Sequence, residues 1–429
     1  MKLKIRSFEI IFDKKTPLII LFFLYIFSPP LLPINMNVAI EFIAVIYIFF
    51  SLNKYRNNLQ IKLRLLMLPL FFIPFLIYIS IMLYMHIRLE PNNMNLFIDT
   101  YNIIIRVVMR GAVICCAYSF YCNRNDISVN DWFNIIYWVG IIQIIFVLLT
   151  LTFPQLRQTI LDMIQQNSTA DVLAEVVGRL SSRRGYGLAS NLFDAFGYIL
   201  GFIMCATILL WLENGKKKYM LICILLLVAN ILNSRTGLLL SLIALIVCFI
   251  GYKKSFQQVK IIIFALIVSI PIGFIVINML NIISPDTLSW MYSGIEEIYK
   301  FLFEGEETGI FIAFRNFTFF PDDIIFGAGS SPDLLINRWS DIGYIICIWD
   351  YGIFGTILLL GGYIMGMLYC IKFSKSNKEK IFAAATIVIF LVYLYKLYSI
   401  GNLGANFIIF SFIITVVMNN GESLKYRRY

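Results

Sequence analysis

Apolar stretches of about 16 to 22 residues recur from one end of this 429-residue chain to the other, and that recurrence limits what it can become. The hydrocarbon core of a bilayer takes roughly 20 helical residues per crossing, and backbone placed inside it must satisfy its own hydrogen bonds. The stretches are continuously apolar. A β-barrel would alternate apolar and polar residues over strands of about ten, so a helical bundle is expected instead. The fold class expected is all-α, a polytopic integral membrane bundle over 1–429. It has about twelve crossings, at 17–34, 38–52, 65–84, 103–121, 132–153, 192–212, 219–233, 236–251, 259–280, 341–371, 381–399 and 403–419. Hydrophobic residues make up 60% of the chain, against roughly 45–50% in soluble domains, and no soluble domain of ordinary size is left over.

Charge orients the bundle. The net charge of +10 raises the question of nucleic acid, which the placement of the 35 Lys and Arg answers. With the amino terminus inside, most of them fall in cytoplasmic tails and loops such as "MKLKIRSFEIIFDKK", "NKYRNNLQIKLR", "NGKKKY", "KFSKSNKEK" and "KYRRY". The positive-inside rule accounts for that bias, so both termini are expected in the cytoplasm and nucleic acid is not a needed partner. The first apolar segment carries "SPPLLP" and no small-residue cleavage pattern, and reads as a retained anchor. All eight cysteines lie in or at the ends of expected helices, without Cys-x-x-Cys spacing, so neither disulfides nor a cysteine metal site is expected.

Two loops on the far side are long, 154–191 and 281–340, while cytoplasmic connections run to about a dozen residues. The working surface therefore faces away from the cytoplasm. Leu156, Ile160, Met163 and Ile164 recur at helical spacing in the first loop, as do Leu288, Met291, Ile295, Ile298, Tyr299 and Leu302 in the second. Short helices lying along the bilayer surface are expected in both, either as part of a site or as caps on the bundle. "GYILG" at 197–201 and "GYIMG" at 362–366 have the small-xxx-small spacing of close helix packing.

An ionisable group inside a span costs on the order of 2.5–3.5 kcal/mol, so each one needs a reason. Arg106 and Arg110 in "IIIRVVMRG" stand four apart on one helical face, and Asp194 sits at similar depth at the outer end of another helix. Either Asp194 neutralises one arginine and the set is buried glue, or a surplus cation remains to hold an anion. Asp350 and Lys396 can pair with each other or snorkel. Arginines disfavoured by the positive-inside rule gather on the outer side: Arg157, Arg179, Arg183 and Arg184 in the first loop, Arg235 in the turn of a helical hairpin, and Arg315 and Arg338 in the second loop. Guanidinium binds phosphate through two planar contacts and keeps its charge, so a membrane-level cluster of them suits a lipid-linked phosphate or pyrophosphate. Paired surface charge is the plainer reading of any one of them. His86, the single histidine, has no second histidine to share a metal. "EGEE" at 304–307 reads as a solvated turn before it reads as a cation site.

"NSRTGLLLSLIALI" resembles the arginine-centred helical hairpin of bacterial O-antigen ligases and polymerases, and "LASNLFDAFGYILGF" resembles the segment upstream of it. "FGAGSSPDLLINRWSDIGYIICIWDYGIFGTILLL" resembles the end of their large periplasmic loop and the helix after it. Topology included, the resemblance covers most of the chain, and the amino-terminal third matches by hydropathy alone. Ligases of this group carry a His-Asn-like pair shortly before the "GIFG"-like helix. Ser340-Asp341 stands here instead, which favours the O-antigen polymerase branch.

The resemblance implies a glycosyltransferase on the periplasmic face of a bacterial inner membrane; no cofactor is expected, and no metal, given the missing His/Cys/Asp constellation and the surplus of outer arginines. The growing polysaccharide on undecaprenyl pyrophosphate would move onto a new undecaprenyl-pyrophosphate-linked oligosaccharide unit. Membrane lipid surrounds the site, and a chain-length-regulating co-polymerase is an implied partner. Charge placement suits this chemistry: fixed arginines aimed at a leaving pyrophosphate stabilise the transition state, and a carboxylate serves the attacking hydroxyl as base. Asp341, Arg235 and Arg315 are the candidate catalytic residues. Arg106, Arg110, Arg183, Arg184, Arg338, Asp194 and Tyr344 are candidates for binding substrate. Asp322, Asp323 and Asp333 are weaker candidates for the base, and Asp341 is also placed to cap the helix after it. Ligase and lipid-linked oligosaccharide flippase are the alternatives, the second disfavoured by long outer loops and the lack of an internal repeat.

Overall fold

The computed structural model describes residues 2–5, 8–11, 14–31, 35–54, 67–166, 187–190, 194–252, 300–305, 318–336, 340, 342–396, 398 and 400–420, with scattered residues between 278 and 299. Among these, helices dominate: α1 (Thr16–Phe27), α2 (Met36–Lys54), α3 (Met67–Leu89), α4 (Met94–Asn125), α5 (Val129–Thr152), α6 (Pro154–Gln166) and α7 (Asp194–Asn214). They continue with α8 (Lys217–Asn233), α9 (Arg235–Gly251), the short α10 (Pro332–Ile336), α11 (Gly343–Phe373), α12 (Asn377–Lys396) and α13 (Leu403–Asn420). Among the described residues, five helices are long and apolar enough to cross a membrane: α3, α4, α5, α7 and α11. Eleven of the expected crossings overlap described helices. The twelfth, 259–280, lies outside the described residues apart from Asn278.

Two departures are instructive. Lys2–Ile5 and Phe8–Ile11 form an antiparallel hairpin with Lys4 opposite Glu9, where the all-α reading had no strand; four-residue strands vanish in a span-sized hydropathy window. The expected crossing at 103–121 begins nine residues after α4 does. Asn95, Asp99, Thr100 and Asn102 lower the hydropathy of the first turns, while Phe97, Thr100 and Tyr101 are buried.

Helix α7 is almost wholly buried, between α5, α8, α9 and α12. It can be so enclosed because its contact residues are small or flat. A Cβ on Gly197 would come within 2.7 Å of the Gly237 Cα on α9, Gly201 faces Leu240, and the Tyr198 ring stacks on Tyr393 of α12 at 4.0 Å. Gly362 and Gly366 of α11 likewise sit against Phe72 and Ile413. Both small-xxx-small pairs are therefore packing seams. A ring cluster of Trp132, Phe133, Phe382 and Phe412 joins α5, α12 and α13, and Trp132 Nε1 donates to Ser411 Oγ at 3.0 Å.

The end of the bundle holding the α7–α8 and α11–α12 turns is tied by charge. Lys378 is buried, bonded to Glu213 at 2.5 Å and Asn130 at 2.6 Å, and lies over the Phe133 ring. Ser128 and Asp131 form a capping box that starts α5, and Asp131 also pairs with Lys15 at 2.5 Å. At the opposite end α6 follows α5 directly. Its Ile160, Leu161 and Ile164 are buried and Met163 is exposed, which is the amphipathic helix expected in the first long loop. That loop re-enters the bundle at Gly187–Ser190, where the Gly187 amide donates to Thr150 Oγ1 and the Ser190 amide to the Phe27 carbonyl.

Candidate functional site

The intramembrane arginines separate. Arg110 Nε donates to both oxygens of Glu41 on α2, at 2.9 and 2.8 Å, and Tyr25 of α1 donates to the same carboxylate at 2.8 Å. The counter-charge is thus Glu41, in the middle of "NVAIEFIAV", rather than Asp194. It carries the same signal, a charge inside an apolar run, that singles out Arg110. One guanidinium nitrogen of Arg110, Nη2, is buried with no partner among the described residues. Arg106 is exposed, 12 residues after the start of α4.

The hairpin tip is where the fold concentrates polar groups. Helix α8 ends at Asn233 because Ser234 takes extended backbone, φ −155° and ψ 124°. The same residue then caps α9, its Oγ accepting from the Gly237 amide at 3.0 Å. Arg235 is the first residue of α9. Gly197 meets Ser234 and Gly237 directly, so the start of α7, with Asp194 one turn away, lies against the tip that carries Arg235. The side chains of Asp194 and Arg235 lie outside the described set. Around the tip, Asn230 Nδ2 donates to Ser241 Oγ at 2.6 Å and Asn233 Nδ2 to the Ala229 carbonyl at 2.8 Å. Asn230 Oδ1, Asn233 Oδ1 and Thr236 Oγ1 are buried and have no partner among the described residues. Buried oxygens of this kind call for a donor, whether water, a neighbouring side chain or a ligand.

The second candidate region is the start of α11. The helix-cap position is Ile342, with no side-chain cap, and its amide donates to Ser340 Oγ at 3.3 Å. The cap position falls one residue after Asp341, which itself lies outside the described residues. Tyr344 is half-buried in a small apolar group with Ile342, Ile345, Trp349 and Phe319, and its ring lies 6.0 Å from that of Tyr395. Asp323 is exposed, and its Oδ1 accepts from the Ile325 and Phe326 amides at 3.0 Å each, which makes it a turn former. Asp322 is exposed and Asp333 half-buried in the first turn of α10. Asp350 is buried, with Oδ1 unpartnered among the described residues, while Lys396 is exposed, so the two do not pair. Tyr101 and His86, whose hydroxyl and Nε2 are also buried without a described partner, lie on the adjoining α4 and α3. Nothing in the sequence pattern marks this group, because its members are far apart in the chain.

Arg157 is half-buried on α6. Arg179, Arg183, Arg184, Arg315, Arg338 and Asp341 lie outside the described residues, as do residues 167–186 of the first long loop. Compared with known proteins, the chain matches no family model, no curated protein and no solved structure.

Proposed function

We propose that this chain is a metal-independent glycosyltransferase of the O-antigen polymerase type. It acts at the periplasmic face of a bacterial inner membrane, with about twelve spans and both termini in the cytoplasm. The observation that carries the reading is the hairpin tip: Arg235 opens a helix among three buried oxygens without described partners, against the start of α7 where Asp194 lies. A permanent cation beside unfilled hydrogen-bond acceptors suits a headgroup that combines pyrophosphate oxygens with sugar hydroxyls.

In the proposed reaction the growing chain is carried on undecaprenyl pyrophosphate. The bond between its anomeric carbon and the pyrophosphate oxygen breaks, and a hydroxyl of the incoming lipid-linked unit forms the new glycosidic bond. Asp341 takes the hydroxyl proton, and Arg235 and Arg315 hold the charge that grows on the departing pyrophosphate. The arginines of the outer loops, Arg183, Arg184 and Arg338, with Arg106 and Tyr344, bind the two substrates. Arg110 is committed to Glu41 and contributes to the scaffold.

The choice of acceptor separates this from the ligase reading. In cells lacking the native copy, the polymerase reading expects ladders of lipid-linked glycan that persist when the lipid A core acceptor is removed. Product found only on lipid A core would establish a ligase, and lipid-linked units that change sides without growing would establish a flippase.

A further inference from the structure

The second long loop does not stay above the bundle. Residues 318–331 turn back against α3 and α11, and α11 is built to receive them. Gly352, at φ 67° and ψ 175°, interrupts the helix in a conformation open essentially to glycine alone. The interruption leaves backbone groups without helical partners, and the loop supplies them. The Ile353 amide donates to the Ile324 carbonyl at 2.9 Å and the Phe354 amide to the Ile325 carbonyl at 3.3 Å. In return the Trp349 carbonyl accepts from the Ala328 amide at 2.7 Å and the Gly329 amide at 3.2 Å. Gly327, at φ 79°, faces Gly352 so closely that a Cβ on either would collide with the other segment's backbone. Thr100 of α4 donates to Ser330 at 3.1 Å, and Trp349 Nε1 to the Phe319 carbonyl at 3.1 Å.

The tip of this turn is Ile324-Ile325-Phe326, and all three side chains are exposed, Ile325 by 61%. They continue the exposed apolar flanks of two span helices, Ile353, Phe354 and Ile357 on α11 and Ile77, Ile81 and Tyr84 on α3. Depth can be counted along both. Tyr78 donates to the Tyr351 carbonyl at 2.8 Å, with the Phe326 carbonyl 3.5 Å from its hydroxyl. It lies eleven residues inside the Leu89 end of the span Leu70–Leu89, about 16 Å at 1.5 Å per residue. Counted from Lys372 at the other end of α11, Ile353 is about 28 Å up a core roughly 30 Å thick. The two counts bracket the tip between the middle of the bilayer and its boundary on the loop's side. Asp322 and Asp323, exposed immediately before the tip, mark the edge that stays in water.

We infer that residues 318–331 form a re-entrant segment whose Ile324-Ile325-Phe326 tip is embedded among the acyl chains of the leaflet on the loop's side. Non-helical backbone is tolerated at that depth only where protein satisfies its polar groups, and the broken α11 does so. The segment ties the chain that continues into α10 to the broken α11, and it does so whatever reaction the protein carries out.

The test is collision accessibility of a nitroxide in the full chain in lipid nanodiscs, where both faces meet the buffer. Labels go at Ile325→Cys, Phe326→Cys and Asp322→Cys, with the parent's labelling subtracted as background and thermal melts confirming that each variant folds. At 325 and 326 relaxation by dissolved oxygen should be strong, and relaxation by a water-soluble nickel complex at least about tenfold weaker than at 322, as expected of hydrocarbon. Nickel access at 325 and 326 equal to that at 322 would put the tip in water. Shielding from both reagents would bury it in protein. Either result overturns the inference.

Discussion

At Arg235 the proposal turns on the shape of the cation rather than its charge. An ammonium keeps the charge but cannot bind two phosphate oxygens in one plane. Arg235→Lys should lose at least about tenfold in polymerisation, a cost of roughly 1.4 kcal/mol, with its thermal melt in detergent unchanged. Normal glycan ladders from that variant would reduce Arg235 to a topological marker. Asp341→Asn should abolish chain growth without lowering expression, and near-normal activity would remove Asp341 as base. Arg110 carries the opposite expectation. Replacing Glu41 by Gln leaves a half-buried guanidinium uncompensated, at a cost toward the lower end of the about 3–5 kcal/mol of a broken buried pair. The Arg110→Met, Glu41→Gln double variant should recover part of that loss in a thermal melt, and additive losses would deny the coupling. Arg110 was legible as a charge in a costly place. Which charge it met was not, because Arg110 and Glu41 stand 69 residues apart in the chain.

Element boundaries were readable where hydropathy and capping agree, as at the Ser234 turn, and hidden where one face alone is apolar, as in the first turns of α4. The seams "GYILG" and "GYIMG" were legible from spacing because small residues at i and i+4 lie on one face. The break in α11 was not: "WDYGIFG" falls inside one expected crossing at 341–371, and only the loop that docks into it explains Gly352. Gly352→Ala forces a side chain into that strained backbone, which costs of order 1–3 kcal/mol, and its Cβ would meet the Ile325 carbonyl. Its melt should fall, and the loop should gain protease sensitivity around 320–331 before the bundle unfolds. An Ala variant as stable as the parent would mean that the loop is not held by the break. At the tip, Gly237→Val should cost more stability than Leu239→Val, since position 237 touches the Gly197 Cα and Leu239 is exposed.

For the whole molecule, hydropathy gives helices long and apolar enough to cross a membrane, charge asymmetry is the ground for the proposed orientation, and neither gives the reaction. Placement of the outer arginines suggests anion chemistry without a metal, so activity should survive EDTA. Loss on chelation with recovery on adding magnesium or manganese would overturn the arginine account. The most direct measurement of the central claim is the product of the purified full-length protein in lipid nanodiscs, supplied with one synthetic undecaprenyl-pyrophosphate-linked repeat unit and nothing else. The account predicts a ladder spaced by one repeat, with one undecaprenyl pyrophosphate released per glycosidic bond. Recovery of the unit unextended, with no pyrophosphate released from a protein shown to be folded, would contradict it.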